Sequence, residues 1–277
     1  EATVDRMLKL YAKGLGHVRP TKVIFNVLMH SWSRSNKQGS AEKAEDIFRW
    51  MEAQGRAGDS LVQPNAVSLC TVLNAWANHA ENGGAERARR IWEHAALVSD
   101  GIRGFPMSIA MANIVIKAIA RSKDPTAVEQ AEDILVRLEE DFRSGKCNIK
   151  PDVKTYSSVI NACAYCTGDS TKQDMALQTA LRTLDKRRHL EDEQPNNITY
   201  GTVLKAIQRL MPISDEREAL VRELFDRCCD EGHVDQFVVT QIRNASPQLY
   251  RDLVDGPCGL GPDDSIESVL RSIPIEW

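Results

Sequence analysis

The chain has 277 residues, 42% apolar and 27% charged, with a formal net charge of −4, a balance typical of globular domains. No run of about 18 apolar residues exists, which excludes a membrane-spanning helix; seven cysteines, odd in number and scattered through apolar helical positions, exclude a small disulfide-stapled frame and point to a reducing compartment. The acidic total supplies no global basic signature of a nucleic-acid binder, so any such function rests on where charge sits rather than on its sum.

The first residues, with Val4, Met7, Leu8 and Tyr11 at i, i+3, i+4 and i+7, predict a helix. Residues 1–19 are expected to be the second helix of a repeat cut in half, with the natural start and any targeting peptide upstream. From Pro20 the chain repeats itself. Five stretches opening at Pro20, Pro64, Pro106, Pro151 and Pro195 align on the anchors Asn26, Cys70, Asn113, Ser157 and Gly201, spaced by 44, 43, 44 and 44 residues. A fixed period in this range marks a stacked repeat array.

Each period divides alike. The proline is expected to precede a helix start, where its missing N–H costs nothing. A first helix carries the apolar pairs Val27-Leu28, Val72-Leu73, Val115-Ile116, Val159-Ile160 and Val203-Leu204. Polar breaks follow at Ser35–Ser40, Glu81–Gly84, Ser122–Pro125, Thr167–Thr171 and Met211–Asp215, ending in residues suited to cap a helix. The second helix then repeats one stripe: Ala44, Ile47, Phe48, Met51; Ala88, Ile91, Trp92, Ala95; Ala131, Ile134, Leu135, Leu138; Leu177, Ala180, Leu181, Leu184; Val221, Leu224, Phe225, Cys228. No hairpin can bury such a face alone, so neighbours stack. The expected fold is all-α, a superhelical solenoid of helix-turn-helix repeats over 20–63, 64–105, 106–150, 151–194 and 195–232. Residues 233–277 form a cap of two short helices, Val234–Arg243 and Pro247–Val254, and an irregular tail with one helix at Ser265–Ser272.

Openings such as Pro-Asp-Val-Lys-Thr-Tyr-Ser-Ser-Val-Ile (Pro151–Ile160) and Ile198-Thr199-Tyr200 resemble the pentatricopeptide repeat family, over about residues 1–232. Its members are tetratricopeptide-like superhelices that bind single-stranded RNA at about one nucleotide per repeat. The units here are longer, with the excess in the inter-helix turn and after the second helix (Gly55–Gln63, Val98–Gly104, Arg143–Lys150). HEAT and armadillo repeats have similar periods but lack this opening.

The resemblance implies that two residues per unit choose the base: the anchor and the last residue before the next unit. Those pairs are Asn26 with Asn65, Cys70 with Ser108 (or Met107), Asn113 with Asp152, and Ser157 with Asn196. Their amides, carboxylate and hydroxyls can meet the Watson–Crick edge of a splayed base. In N- to C-terminal unit order the implied preference is pyrimidine, any base, U, A. Three residues before the anchors stand Val23, Val67, Ala110, Lys154 and Ile198, where the family sandwiches a base; Lys154 departs from the apolar pattern. Eight residues beyond them stand Arg34, Asn78, Arg121, Tyr165 and Arg209, where the family places a cation near the phosphates.

Other patterns carry less. Cys163 and Cys166 form a Cys-x-x-Cys on a helix with no second ligand pair near, which does not make a zinc site. Trp32, Trp50, Trp76 and Trp92 occupy repeat-register positions and are expected to pack between helices. No metallonuclease cluster, zinc-deaminase motif or nucleophile triad stands in the chain, so no enzyme, metal or cofactor is expected. The resemblance implies an organellar protein, of mitochondrion or plastid, that acts on a transcript in processing, stability or translation. The alternative is a protein-interaction scaffold without base readout.

Overall fold

A computed structural model describes residues 6, 7, 9, 13, 19–35, 37–99, 107–188 and 194–254. Most of the opening stripe, residues 100–104 of the Val98–Gly104 insertion, Pro106 and the tail from residue 255 lie outside the described residues. Among the described residues there are twelve α-helices and no strand. No described helix is long and apolar enough to cross a membrane.

The chain divides at Ser122 into two compact units. The first holds α1 (Lys22–Ser33), α2 (Ser40–Arg56), α3 (Ala66–Ala77), α4 (Gly84–Ser99) and α5 (Ile109–Arg121), with a 3-10 turn at Ala80–Asn82. The second holds α6 (Ala127–Arg143), α7 (Val153–Ala164), α8 (Ser170–Arg188), α9 (Asn197–Leu210), α10 (Asp215–Asp230), α11 (Gln236–Ala245) and α12 (Pro247–Val254). Within the units α1, α3, α7, α9 and α11 pack on the second helices that follow them, and first helices pack on one another: α3 on α1 and α5 on α3 in one unit, α9 on α7 and α11 on α9 in the other.

Short side chains explain that close row. Ala75 and Ala118 in the first unit, and Ala162, Ala206 and Ala245 in the second, share one register position and are at most 1% exposed. Nothing longer than a methyl fits where one backbone meets the next helix. The stripe expected on the second helices is buried beneath this row except at the half-buried Ile47, Ile91 and Leu181. Between the second helices the chain is looser. A cleft of about 470 Å³ separates α2 from α4 and one of about 580 Å³ separates α6 from α8. Ion pairs cross between second helices: Arg87–Glu45, Arg182–Glu132 (2.6 Å), Lys186–Glu139 and Arg227–Asp185 (3.4 Å).

The buried prolines precede the helix starts, each one residue before the cap, and three other details correct the sequence reading. Pro64, Pro151 and Pro195 precede Asn65, Asp152 and Asn196, whose side chains accept from the backbone N–H three residues on, stopping the chain and starting the helix. Of the caps expected for the second helices, Asp169 and Ser214 accept such bonds, whereas α2 begins at a left-handed glycine and Thr126 makes no side-chain cap. The apolar pair of the first repeat is Leu28-Met29, not Val27-Leu28: Val27 is 62% exposed while Met29 is fully buried. A Val-Leu dipeptide one residue out of register imitated the pattern.

The third concerns the C-terminal end, where the period was expected to stop after Gly232. Yet α11 keeps the first-helix register: Asp235 caps it by accepting from Val238 N–H at 2.9 Å, and Phe237 stands where Ile198 stands in α9. The Phe237 ring lies so close over Gly201 that a Cβ built there would collide with it. Gly201→Ala should therefore cost about 1–3 kcal/mol through overpacking, seen as a lower Tm, and adding Phe237→Ala should restore most of the loss. A Gly201→Ala variant as stable as the parent would refute that packing.

Candidate nucleic-acid interface

One face of every first helix follows the spacing i, i+3, i+7, i+11, which brings those side chains into a line. In the first unit the lines are Val23, Asn26, His30, Arg34; Val67, Cys70, Asn74, Asn78; and Ala110, Asn113, Lys117, Arg121. In the second they are Lys154, Ser157, Asn161, Tyr165; Ile198, Gly201, Lys205, Arg209; and Phe237, Thr240, Asn244. Each line opens on an exposed residue. Val23, Val67 and Ile198 are 63%, 58% and 53% exposed, and Ala110, Lys154 and Phe237 are also exposed. Large apolar side chains left in water at one repeated position suit a ligand's flat faces.

In two of the three pairs whose partners lie in one unit, the structure brings the expected base-choosing residues together through the next helix cap. Asn26 Nδ2 donates to Asn65 Oδ1 at 3.4 Å, and Ser68 Oγ donates to Asn26 Oδ1 at 2.7 Å. Ser157 Oγ lies 3.2 Å from Thr199 Oγ1, which donates to Asn196 Oδ1 at 3.1 Å. A polar anchor thus ties one first helix to the cap of the next. The consequence differs along the chain. Asn26 is half-buried with both amide atoms engaged and Asn113 is half-buried, whereas Ser157 is 6% exposed with its hydroxyl turned to Thr199. Cys70 is half-buried and burial pushes its thiol above the usual range, leaving a weak hydrogen-bonding group. Ser108 precedes α5 and makes no cap bond; Met107 beside it is half-buried.

At the far end of each line, two residues work on the neighbouring helix. Asn78 Nδ2 donates to Ser33 O at 2.7 Å and Arg209 Nε donates to Ala164 O at 2.7 Å, satisfying carbonyls that a helix end leaves open. Arg34 and Arg121 are exposed. Tyr165, 39% exposed, is approached by two cations: Lys205 Nζ lies 4.3 Å and the Arg209 guanidinium 4.6 Å from its ring centre. Lys205 Nζ also donates to the Tyr165 hydroxyl at 2.8 Å. Reading the sequence missed Lys205, because the column four residues past the anchors (His30, Asn74, Lys117, Asn161, Lys205) was not followed.

Charge separates the two rows. The six first helices α1, α3, α5, α7, α9 and α11 contain no aspartate or glutamate; the second helices α2, α4, α6, α8, α10 and α12 all contain them. Arginines on the second helices are held in ion pairs, as Arg49 and Arg87 are by Glu45 and Arg89 and Arg90 by Glu86. Arg34, Lys117, Arg121, Lys154, Lys205 and Arg209 have no carboxylate within ion-pair distance among the described residues. The field over the first-helix faces is therefore positive although the chain is acidic.

Other candidates are quiet. Burial pushes the Cys163 thiol up to about 12 and raises Cys166 as well, so neither is poised as a thiolate. Among the described residues no group of three or more His, Cys, Asp or Glu side chains converges as a metal site. Trp76 Nε1 donates to Glu45 at 2.8 Å, Trp92 is buried, and Trp50 lies 4.8 Å from Phe25, ring to ring. The chain matches no protein-family model and no curated protein.

Proposed function

We propose that this protein binds single-stranded RNA along the exposed faces of its first helices, in the manner of the pentatricopeptide repeats it resembles. One observation carries the reading: six helices are free of acid, and four of them present six cations with no carboxylate at ion-pair distance among the described residues, in lines that open on exposed side chains. Phosphates would lie toward the basic ends of the lines and bases toward Val23, Val67 and Ile198. Stacking contributes roughly 1–3 kcal/mol per base, so a few such places give modest affinity. An organellar transcript, and a part in its processing, stability or translation, is what the resemblance adds.

A scaffold without base readout gains support at one position, the buried Ser157, whose hydroxyl is engaged inside the protein. Base choice is better tested at Asn113 with Asp152. Asp152→Asn keeps a side chain that caps a helix as well as aspartate does, so the fold should survive. By resemblance it moves the preference at that place from U towards C, which should reverse the order of Kd values for two oligonucleotides differing at that single base. Equal Kd values before and after the substitution would remove base reading. Binding that also lacks any fall in affinity with added salt would remove RNA altogether.

A further inference from the structure

The cleft between α2 and α4 takes no part in the first-helix lines, and its lining is unlike that of its counterpart. Phe48, Leu69, Ile91 and Ala95 give it an apolar floor, with Leu69 wholly buried and Phe48 nearly so. Its rims carry four arginines, Arg49, Arg56, Arg87 and Arg90, against two carboxylates, Glu45 and Glu52. The cleft between α6 and α8 sets Arg182 and Lys186 against Glu132 and Asp185, a balanced set. Bridging two second helices by ion pairs therefore needs no surplus of cations. The surplus is particular to the first cleft, and low-dielectric walls concentrate its field.

The surplus has donors to spare. Glu45 accepts from Arg49 Nε at 2.8 Å and from Arg87 Nε at 3.0 Å, so one carboxylate serves two cations. Arg90 donates from Nε to Glu86 Oε1 at 2.7 Å, which leaves its terminal nitrogens open among the described residues. Arg49 lies four residues past Glu45 and Arg90 three past Arg87. Both therefore stand one turn beyond the Glu45–Arg87 pair, on opposite walls at one level. We infer that this cleft is a binding site for a small organic acid. The carboxylate is gripped between Arg90 and the open end of Arg49, and the apolar body lies on Phe48, Ile91 and Ala95. A volume of about 470 Å³ falls in the range of small-molecule sites. Glu52 stands one turn further on, no closer than 3.7 Å to Arg56. Burial holds its carboxyl above the ordinary value although Arg56, His94 and Arg49 oppose that. It sets a like charge against a second acidic group, so the ligand is a monoanion. The site uses none of the residues that the RNA reading needs.

The test uses the whole chain and three probes of one shape: 2-naphthoate, neutral 2-naphthalenemethanol and cationic 2-naphthylmethylammonium, each titrated at constant ionic strength. Naphthoate should shift the backbone amide resonances of α2 and α4 saturably. The neutral probe should bind about tenfold more weakly, for want of the charge-assisted bonds, and the cation should not saturate. Arg90→Gln replaces a side chain that is 65% exposed and outside the Glu45 cluster, so the melting curve should not move. It should weaken naphthoate about tenfold and leave the Kd of the neutral probe unchanged. Ala53→Trp, at an exposed place on the cleft wall, should block both probes. Equal Kd values for the anionic and neutral probes would show a merely apolar cleft and overturn the site. So would shifts that rise linearly, shifts that fall on other helices, or a naphthoate Kd unmoved by Arg90→Gln.

Discussion

Glu45→Ala is expected to destabilise the first unit by about 3 kcal/mol. Glu45 is 6% exposed and gathers four donors from three helices. Arg87 reaches both carboxylate oxygens, Arg49 donates at 2.8 Å and Trp76 Nε1 at 2.8 Å. Removing the carboxylate leaves a part-buried indole N–H and a guanidinium without that partner, and breaking a buried pair costs about 3–5 kcal/mol. The lower end applies because both arginines reach solvent. Burial alone would raise the Glu45 carboxyl, but its bonds to Arg87 and Arg49 outweigh that and hold it below its ordinary value of 4.5. In the unfolded chain the group returns to 4.5, so its stabilisation is complete above that pH and fades as pH falls through the lower, folded value. Urea melts of parent and variant should differ fully at pH 7 and converge in strong acid. A gap that stays constant below pH 4 would refute the assignment.

Arg217→Met should have an effect of similar size in the second unit. The side chain is 5% exposed and ties three helices by their ends. Its Nε donates to Ala245 O at 2.8 Å, Nη2 to Asn244 O at 3.2 Å and Nη1 to Met211 O at 3.0 Å. Methionine fills much of the space but leaves three carbonyls unpaired, at about 1–3 kcal/mol each if none finds water. Lysine is no remedy, since an ammonium cannot span the fork. The expected observation is a fall in stability of about 3 kcal/mol or more, with amide exchange accelerating first in α11 and α12. Unchanged protection there would show that the clamp is not what holds those helices.

Much of this architecture was legible because each repeat states its register locally. The proline with the Asn or Asp after it, the Ser or Thr three residues on, and the alanine column all recur at nearly fixed spacing. The slip at Val27 shows the limit of such patterns: a valine beside a leucine looks alike whether it faces a neighbour or water. The helix α11 was legible but its repeat register was not, because Thr240 follows Gly201 by 39 residues rather than 44, so the period hid a register that the Asp235 cap preserves. At the candidate site, the anchors and their cap partners could be paired by spacing. That Ser157 would be walled in could not, since it depends on where the Thr199 hydroxyl lies 42 residues away. The charge separation was present in the sequence all along, and a net value of −4 concealed it by averaging two unlike rows.

The looseness between second helices has a mechanical meaning. Along the first-helix row, alanine against backbone leaves no slack, so that row resists both stretching and compression. Across the outer clefts the connections are ionic, as Arg182 with Glu132 and Lys186 with Glu139, and ionic links weaken with salt. Flexing within either unit therefore pivots on the inner row and is sprung by the outer one. Ionic strength becomes a setting of stiffness: the salt that loosens a bound polyanion also relaxes the spring behind it.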